Sequence, residues 1–278
     1  ISPMVVGLTV IAFGTSAPEL LVGVQATWNG FVGLALGNII GSNITNILLI
    51  LGMPALIMAV RSSDKELAQN YYFMLIATLL FIGFLYFGAI DWLQGVFLIF
   101  LLLLFIMQAI FFTSKSSEDQ STPELSDERN DLSYFMLFVF LVIGFAGLPL
   151  GAKIVVTSAT SFAVSVGVSD EIIGLTVVAI GTSFPELATS MAAAYRREVN
   201  LLLGNVIGSN MFNILGIAGA AALIAPLQLS YKTAAISLSA LLGSSLVLTP
   251  FIIFRKPITR SIGLLFLFLY LIYIILLI

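Results

Sequence analysis

Two glutamates, Glu19 and Glu186, stand inside stretches that are otherwise almost wholly apolar. Each ends the same six-residue motif, Gly-Thr-Ser-x-Pro-Glu, at 14–19 and 181–186. An ionisable side chain inside an apolar helix is costly to keep, and that cost marks ion pathways and binding sites. Each proline lacks an amide proton and its ring clashes with the carbonyl four residues back, at Gly14 or Gly181. Each helix is therefore predicted to break or unwind at this point. The freed carbonyls, the hydroxyls of Thr15 and Ser16, and the Glu19 carboxylate would then converge as oxygen donors. Thr182, Ser183 and Glu186 supply the second set. Hard cations such as Na⁺ and Ca²⁺ favour oxygen, and Ca²⁺ takes about six to eight such ligands. Non-helical backbone at membrane depth is tolerable only where it lines a cavity or is buried in protein.

The motif belongs to a longer duplication. Residues 7–21 recur at 174–188, and Leu36-Gly-Asn-Ile-Ile-Gly-Ser-Asn recurs from Leu203, both at an offset of 167 residues. One offset for two blocks means a tandem repeat. The second block adds Ser42 and Asn46 in one copy and Ser209 and Asn213 in the other. Each Ser and Asn are four apart, so on a helix they share a face. Gly33, Gly37 and Gly41, like Gly204 and Gly208, have small-residue spacing that signals close helix packing.

The elements that must position these groups are membrane helices. Apolar residues make up 60% of the 278-residue chain, charged residues 9%, and the mean hydropathy is +1.13. No water-facing surface can be built from that composition. Hydropathy and Gly/Pro punctuation predict nine spans, at roughly 4–26, 31–59, 71–89, 92–113, 134–166, 171–195, 200–225, 232–254 and 260–278. The expected organisation is a first half over 1–113, an acidic Ser-rich linker over 114–133, and a second half over 134–278. The second half has a span before its motif helix and the first half has none. The expectation is therefore an all-α polytopic membrane protein with two inverted-topology repeats of five helices, the first helix of the first repeat missing. Five is odd, so the second repeat inserts upside down, as in many secondary transporters. Nine of the eleven Lys and Arg residues lie in loops on one side, which places the linker in the cytoplasm and the C-terminus outside. With no cysteine and no histidine, disulfide, thiolate and imidazole chemistry are excluded.

The same residues carry a resemblance. Gly14-Thr15-Ser16-Ala17-Pro18-Glu19 and Gly41-Ser42-Asn43-Ile44-Thr45-Asn46, with their copies at 181–186 and 208–213, resemble the alpha-repeats of the calcium/cation antiporter superfamily. The prokaryotic sodium/calcium exchanger branch is the most similar, and the likeness covers nearly the whole chain. It implies ten helices, alternating access and a diamond of cation sites in a prokaryotic inner membrane. It also implies that Glu19 and Glu186 bind both Ca²⁺ and Na⁺. Thr15, Ser16, Ser42, Thr182, Ser183 and Ser209, with the backbone carbonyls of Ala12 and Ala179, would complete the shells. Potassium-dependent members have Asp where this chain has Asn46 or Asn213, so the resemblance points to K⁺-independent exchange.

The function expected is electrogenic exchange of Na⁺ for Ca²⁺. A proton-coupled antiporter of Ca²⁺ or another divalent cation is the nearest rival, and a passive cation channel a more distant one. An intramembrane hydrolase using Ser16 or Ser183 lacks a base, so no enzyme is expected. Neither a cofactor nor a nucleic-acid partner is expected. The partners are Na⁺ and Ca²⁺ as substrates and the lipid bilayer, with a monomer as the expected state.

Overall fold

The computed structural model describes residues 6–61, 65–116, 136, 139, 151, 153–163 and 165–277. Among them the fold is entirely helical apart from two isolated bridges. We number the helices α1 (Gly7–Thr15), α2 (Ala17–Trp28), α3 (Val32–Ile57), α4 (Lys65–Phe87), α5 (Trp92–Ser116), α6 (Asp170–Thr182), α7 (Phe184–Tyr195), α8 (Val199–Ala222), α9 (Thr233–Ile252) and α10 (Arg260–Leu277). Six of these are long and apolar enough to cross a membrane, and the bent pairs α1/α2 and α6/α7 each make one further span.

Eight of the nine expected spans are therefore present among the described residues. The ninth, 134–166, lies mostly outside them, although 153–163 is helical. Of the expected linker 114–133, residues 114–116 continue α5 and 117–133 lie outside the described residues. One boundary differs clearly from expectation: α4 begins at Lys65, not near 71. Its first turns hold Lys65, Glu66, Gln69 and Asn70, so hydropathy misses them. These residues are good or tolerable helix formers that need no apolar setting.

Burial sorts the spans. α3 and α8 are 94% buried over their apolar windows, against 22–39% for α4, α5, α9 and α10. The outer helices instead expose large apolar side chains such as Phe100, Leu103, Leu264 and Leu271. Apolar surface on that scale suits lipid and does not suit water. The chain is an integral, multi-pass membrane protein.

The two halves pack crosswise. The N-terminal part of α3 lies on α6, and the corresponding part of α8 lies on α1. Glycine makes this approach possible. A Cβ on Gly41 would stand 2.5 Å from the carbonyl oxygen of Leu175. Its offset partner Gly208 would meet the Leu8 carbonyl oxygen in the same way. Both contacts are with backbone and cannot be relieved by a side-chain rotation. Gly41→Val or Gly208→Val should therefore lower the thermal stability of the detergent-solubilised protein, by at least the ~1–3 kcal/mol typical of overpacking. Gly14→Ala is the control, since nothing lies within 4 Å of a Cβ there. Equal melting behaviour of all three variants would contradict this packing.

Backbone bridges tie the halves together at two places. Val60 pairs with Ile258 through N–H···O bonds of 3.0 and 2.8 Å, and Ile90 pairs with Leu227 through two of 2.9 Å.

Candidate cation site

The motif helices kink at the expected place but do not unwind. α1 and α2 meet at 49°, α6 and α7 at 43°. A single residue leaves helical geometry in each: Ser16 at φ −83°, ψ 8° and Ser183 at φ −84°, ψ 7°. Pro18 and Pro185 sit at the second position of α2 and α7, where a missing N–H costs little because the helix start leaves it unpaired anyway. The helix is thus restarted at the proline. Helical bonds persist on both sides of the kink, with Ser16 N–H donating to Ala12 O at 3.0 Å and Leu20 N–H to Ser16 O at 3.0 Å. Each motif helix also contains wider, π-type turns before its kink, at Gly7–Ile11 and Gly174–Val178. Matching π turns run over Asn46–Ile50 of α3 and Phe212–Ile217 of α8. Such turns recur at functional sites.

The kinks bring the two repeats into contact through their acids. Ser16 Oγ donates to Glu186 Oε1 at 2.9 Å, and Ser183 Oγ donates to Glu19 Oε1 at 3.2 Å. The pairing is reciprocal: each carboxylate is held by the serine of the other repeat. Both glutamates are only 1% exposed. The second oxygen of each, Oε2, is buried without a hydrogen-bond partner, and neither has a basic partner among the described residues. A buried carboxylate oxygen left unpaired is expensive, and an ion is the natural occupant of such a position.

The remaining expected residues fall around this centre. Thr182 adjoins the carboxylate of Glu19, and Thr15 that of Glu186. The Ala12 carbonyl accepts Ser16 N–H at 3.0 Å and the Thr15 hydroxyl at 3.4 Å. The Ala179 carbonyl accepts Ser183 N–H at 3.2 Å and the Thr182 hydroxyl at 3.4 Å. These two carbonyls remain in their helices, unlike the freed carbonyls expected from an unwound segment. Ser42 and Ser209 are fully buried; Ser42 Oγ donates to Asn38 Oδ1 at 3.4 Å, and Ser209 Oγ has no partner. Asn46 and Asn213 are equally buried. Asn46 Nδ2 donates to Asn210 Oδ1 at 3.0 Å, and neither polar atom of Asn213 has a partner.

Four buried asparagines went unselected from the sequence: Asn38, Asn43, Asn205 and Asn210. The signal was there, since all four stand inside the repeated Leu-Gly-Asn-x-Ile-Gly-Ser-Asn block. A cavity of about 530 Å³ reaches the kinks from the side of segment 153–163, lined among others by Pro18, Val22, Ala159, Phe162 and Thr182. Among the described residues no three acidic side chains cluster, so formal charge at this centre comes from two carboxylates.

Two acids, paired hydroxyls and amides at the crossing of kinked helices are oxygen-rich groups of the kind that can hold a hard cation. Comparison with known proteins decides the family. The family model for sodium/calcium exchanger proteins matches residues 1–111 and 136–278. The chain belongs to the sodium/calcium exchanger family. It is 38% identical over 230 residues to a putative antiporter, CaxA, of Alkalimonas amylolytica, covering 81% of this chain and 72% of that protein. It is 37% identical over 275 residues to an uncharacterized membrane protein of Methanocaldococcus jannaschii, covering 98% and 86%. Solved structures of the sodium–calcium exchanger NCX_Mj share the fold, one at a TM-score of 0.74 and 35% identity, covering 99% of this chain and 87% of that one. This exchanger-family chain is a cation antiporter and not an enzyme.

Proposed function

We propose that the chain exchanges Na⁺ for Ca²⁺ across the membrane by alternating access, through a centre built on Glu19 and Glu186. The reciprocal serine–glutamate pairing carries this reading. It places two carboxylates at the junction of the halves and leaves one oxygen of each unpaired. Two negative charges match one Ca²⁺. The hydroxyls of Thr15, Ser16, Ser42, Thr182, Ser183 and Ser209 and the amide oxygens of Asn46 and Asn213 can replace hydration water without adding charge. The carbonyls of Ala12 and Ala179 belong to the same proposed set through their remaining lone pairs.

The two halves are read as inverted in the membrane, with the basic loops and the 114–133 linker cytoplasmic and a single chain sufficient for transport. Neutral asparagine at both 46 and 213 supports independence from K⁺, because no third carboxylate is offered to hold a further cation. Proton-driven exchange is the rival reading, since an unpaired carboxylate oxygen can also take a proton.

Neutral hydroxyls should matter more for Na⁺ than for Ca²⁺, whose double charge is held chiefly by the acids. Thr15→Ala or Thr182→Ala is expected to raise the half-saturating Na⁺ concentration several-fold while moving that for Ca²⁺ less. Ion-dependence of ⁴⁵Ca²⁺ flux in proteoliposomes is the measurement. Equal losses for both ions would assign these threonines to structure instead.

A further inference from the structure

The polar groups around the glutamates come in pairs related by the 167-residue offset, yet their hydrogen bonds are unequal. On one side Asn38 Oδ1 accepts two hydroxyls, from Ser42 at 3.4 Å and from Thr182 at 3.1 Å. The offset counterparts are Asn205, Ser209 and Thr15. There, Asn205 Oδ1 and Ser209 Oγ are both buried without a partner. The Thr15 hydroxyl lies 3.4 Å from Ala12 O of its own helix, as the Thr182 hydroxyl lies 3.0 Å from Val178 O and 3.4 Å from Ala179 O, but Asn205 Oδ1 receives no hydroxyl. The second pair repeats the pattern. Asn46 Nδ2 donates to Asn210 Oδ1 at 3.0 Å. Its counterpart would join Asn213 Nδ2 to Asn43 Oδ1, and both of these atoms are buried and unpartnered.

Chance desolvation would scatter orphaned atoms. Four of the orphaned atoms here, Asn205 Oδ1 with Ser209 Oγ and Asn213 Nδ2 with Asn43 Oδ1, are the matched donors and acceptors of bonds that are made on the other side. What the bonds do follows from the chemistry of the groups. A hydroxyl presents its lone pairs to a cation only when its single proton is directed elsewhere. Asn38 takes the proton of Ser42 and shares that of Thr182 with Val178 O and Ala179 O, so both protons are directed away from the oxygens' free lone pairs. An amide likewise presents oxygen reliably only when its NH₂ end is anchored. Asn210 anchors Asn46 in that way, and Asn46 Oδ1 is left without a partner.

A protein of two inverted repeats that opens to one face with its halves in unlike conformations opens to the other face when the halves exchange conformations. The bonds that distinguish the halves must then exchange too. We propose that Asn38 and Asn205 are alternating positioning residues. Each holds the hydroxyl ligands of its own side in coordinating orientation in one access state and releases them in the other, while Asn210 and Asn43 do the same for Asn46 and Asn213. This rests on the exchanger reading above. It adds four residues to the transport machinery that do not themselves need to touch the ion. The unpartnered atoms on the released side keep that side poised to re-form its bonds when the other lets go.

The test is the sidedness of ion dependence. Full-length protein is reconstituted in one orientation, and half-saturating Na⁺ for ⁴⁵Ca²⁺ flux is measured separately at each face. Asn38→Leu and Asn205→Leu keep the branched side-chain skeleton and its number of heavy atoms and remove the acceptor. Each is expected to raise half-saturating Na⁺ by about fivefold or more at one face and far less at the other, with the two variants affecting opposite faces. Asn210→Leu and Asn43→Leu should show the same opposition and serve if the first pair fails to fold. General structural damage would change both faces alike, and that result, or both variants affecting the same face, overturns the proposal. Ca²⁺–Ca²⁺ exchange in the same vesicles needs no Na⁺ and separates the two ideas. A wild type that exchanges Ca²⁺ but not Na⁺ would end the Na⁺ reading, and the sidedness would then be read from half-saturating Ca²⁺.

Discussion

Glu19→Gln and Glu186→Gln are each expected to reduce Ca²⁺ flux to near background while leaving the protein folded. The amide keeps an oxygen that can accept the crosswise serine, Ser183 for residue 19 and Ser16 for residue 186, so the junction of the halves survives. What is lost is one of two formal charges facing a divalent cation in a site only 1% exposed at either acid. Removing one partner of a buried ionic interaction costs about 3–5 kcal/mol. That is roughly two to three and a half powers of ten in affinity. Either variant should therefore fail in ⁴⁵Ca²⁺ uptake at concentrations that saturate the wild type, with an unchanged size-exclusion profile. Flux like the wild type's from either variant would remove its glutamate from the site.

A strong response to membrane potential should accompany this charge count. One Ca²⁺ balances the two carboxylates, whereas more than two Na⁺ ions would leave the loaded site positive, so the two loaded forms differ in charge. Each net charge crossing the full field is worth about 2.3 kcal/mol per 100 mV. This corresponds to about a 50-fold change in the Ca²⁺ accumulation ratio at equilibrium. With the Na⁺ gradient held constant, a potential set by valinomycin and K⁺ should shift Ca²⁺ accumulation by that order. Accumulation indifferent to voltage would require equal charge to move in both directions. It would limit Na⁺ to two ions for each Ca²⁺.

The centre of this site was legible in the sequence because its cost is legible. A glutamate in an apolar stretch, repeated at the 167-residue offset, has few structural explanations, and the structure buries both. The close packing of α3 and α8 was legible from the four-residue spacing of Gly33, Gly37 and Gly41 and of Gly204 and Gly208. Local geometry was read less well. Pro18 and Pro185 pointed to a break, but the strength of the break depends on where a proline falls relative to the restart of the helix. At the second position of α2 and α7 it gives a kink with one non-helical residue. The start of α4 was missed because hydropathy does not register Lys65 and Glu66, which extend the helix beyond its apolar part.

Partners across the repeats could not be read at all. Whether Ser16 serves Glu19 in its own repeat or Glu186 in the other depends on how the kinked pairs meet, which no local pattern encodes. The same holds for Asn38, whose role emerges only from its contacts with Ser42 and Thr182.

The central claim is that Na⁺ drives Ca²⁺ through this centre. The most direct measurement is ⁴⁵Ca²⁺ uptake into proteoliposomes of the full-length protein with outward Na⁺, K⁺ and H⁺ gradients imposed one at a time. Uphill uptake with the Na⁺ gradient, and none with K⁺ or H⁺ alone, is the predicted result. Uptake driven by the pH gradient alone, or uptake that proceeds downhill without any counter-ion, would contradict it.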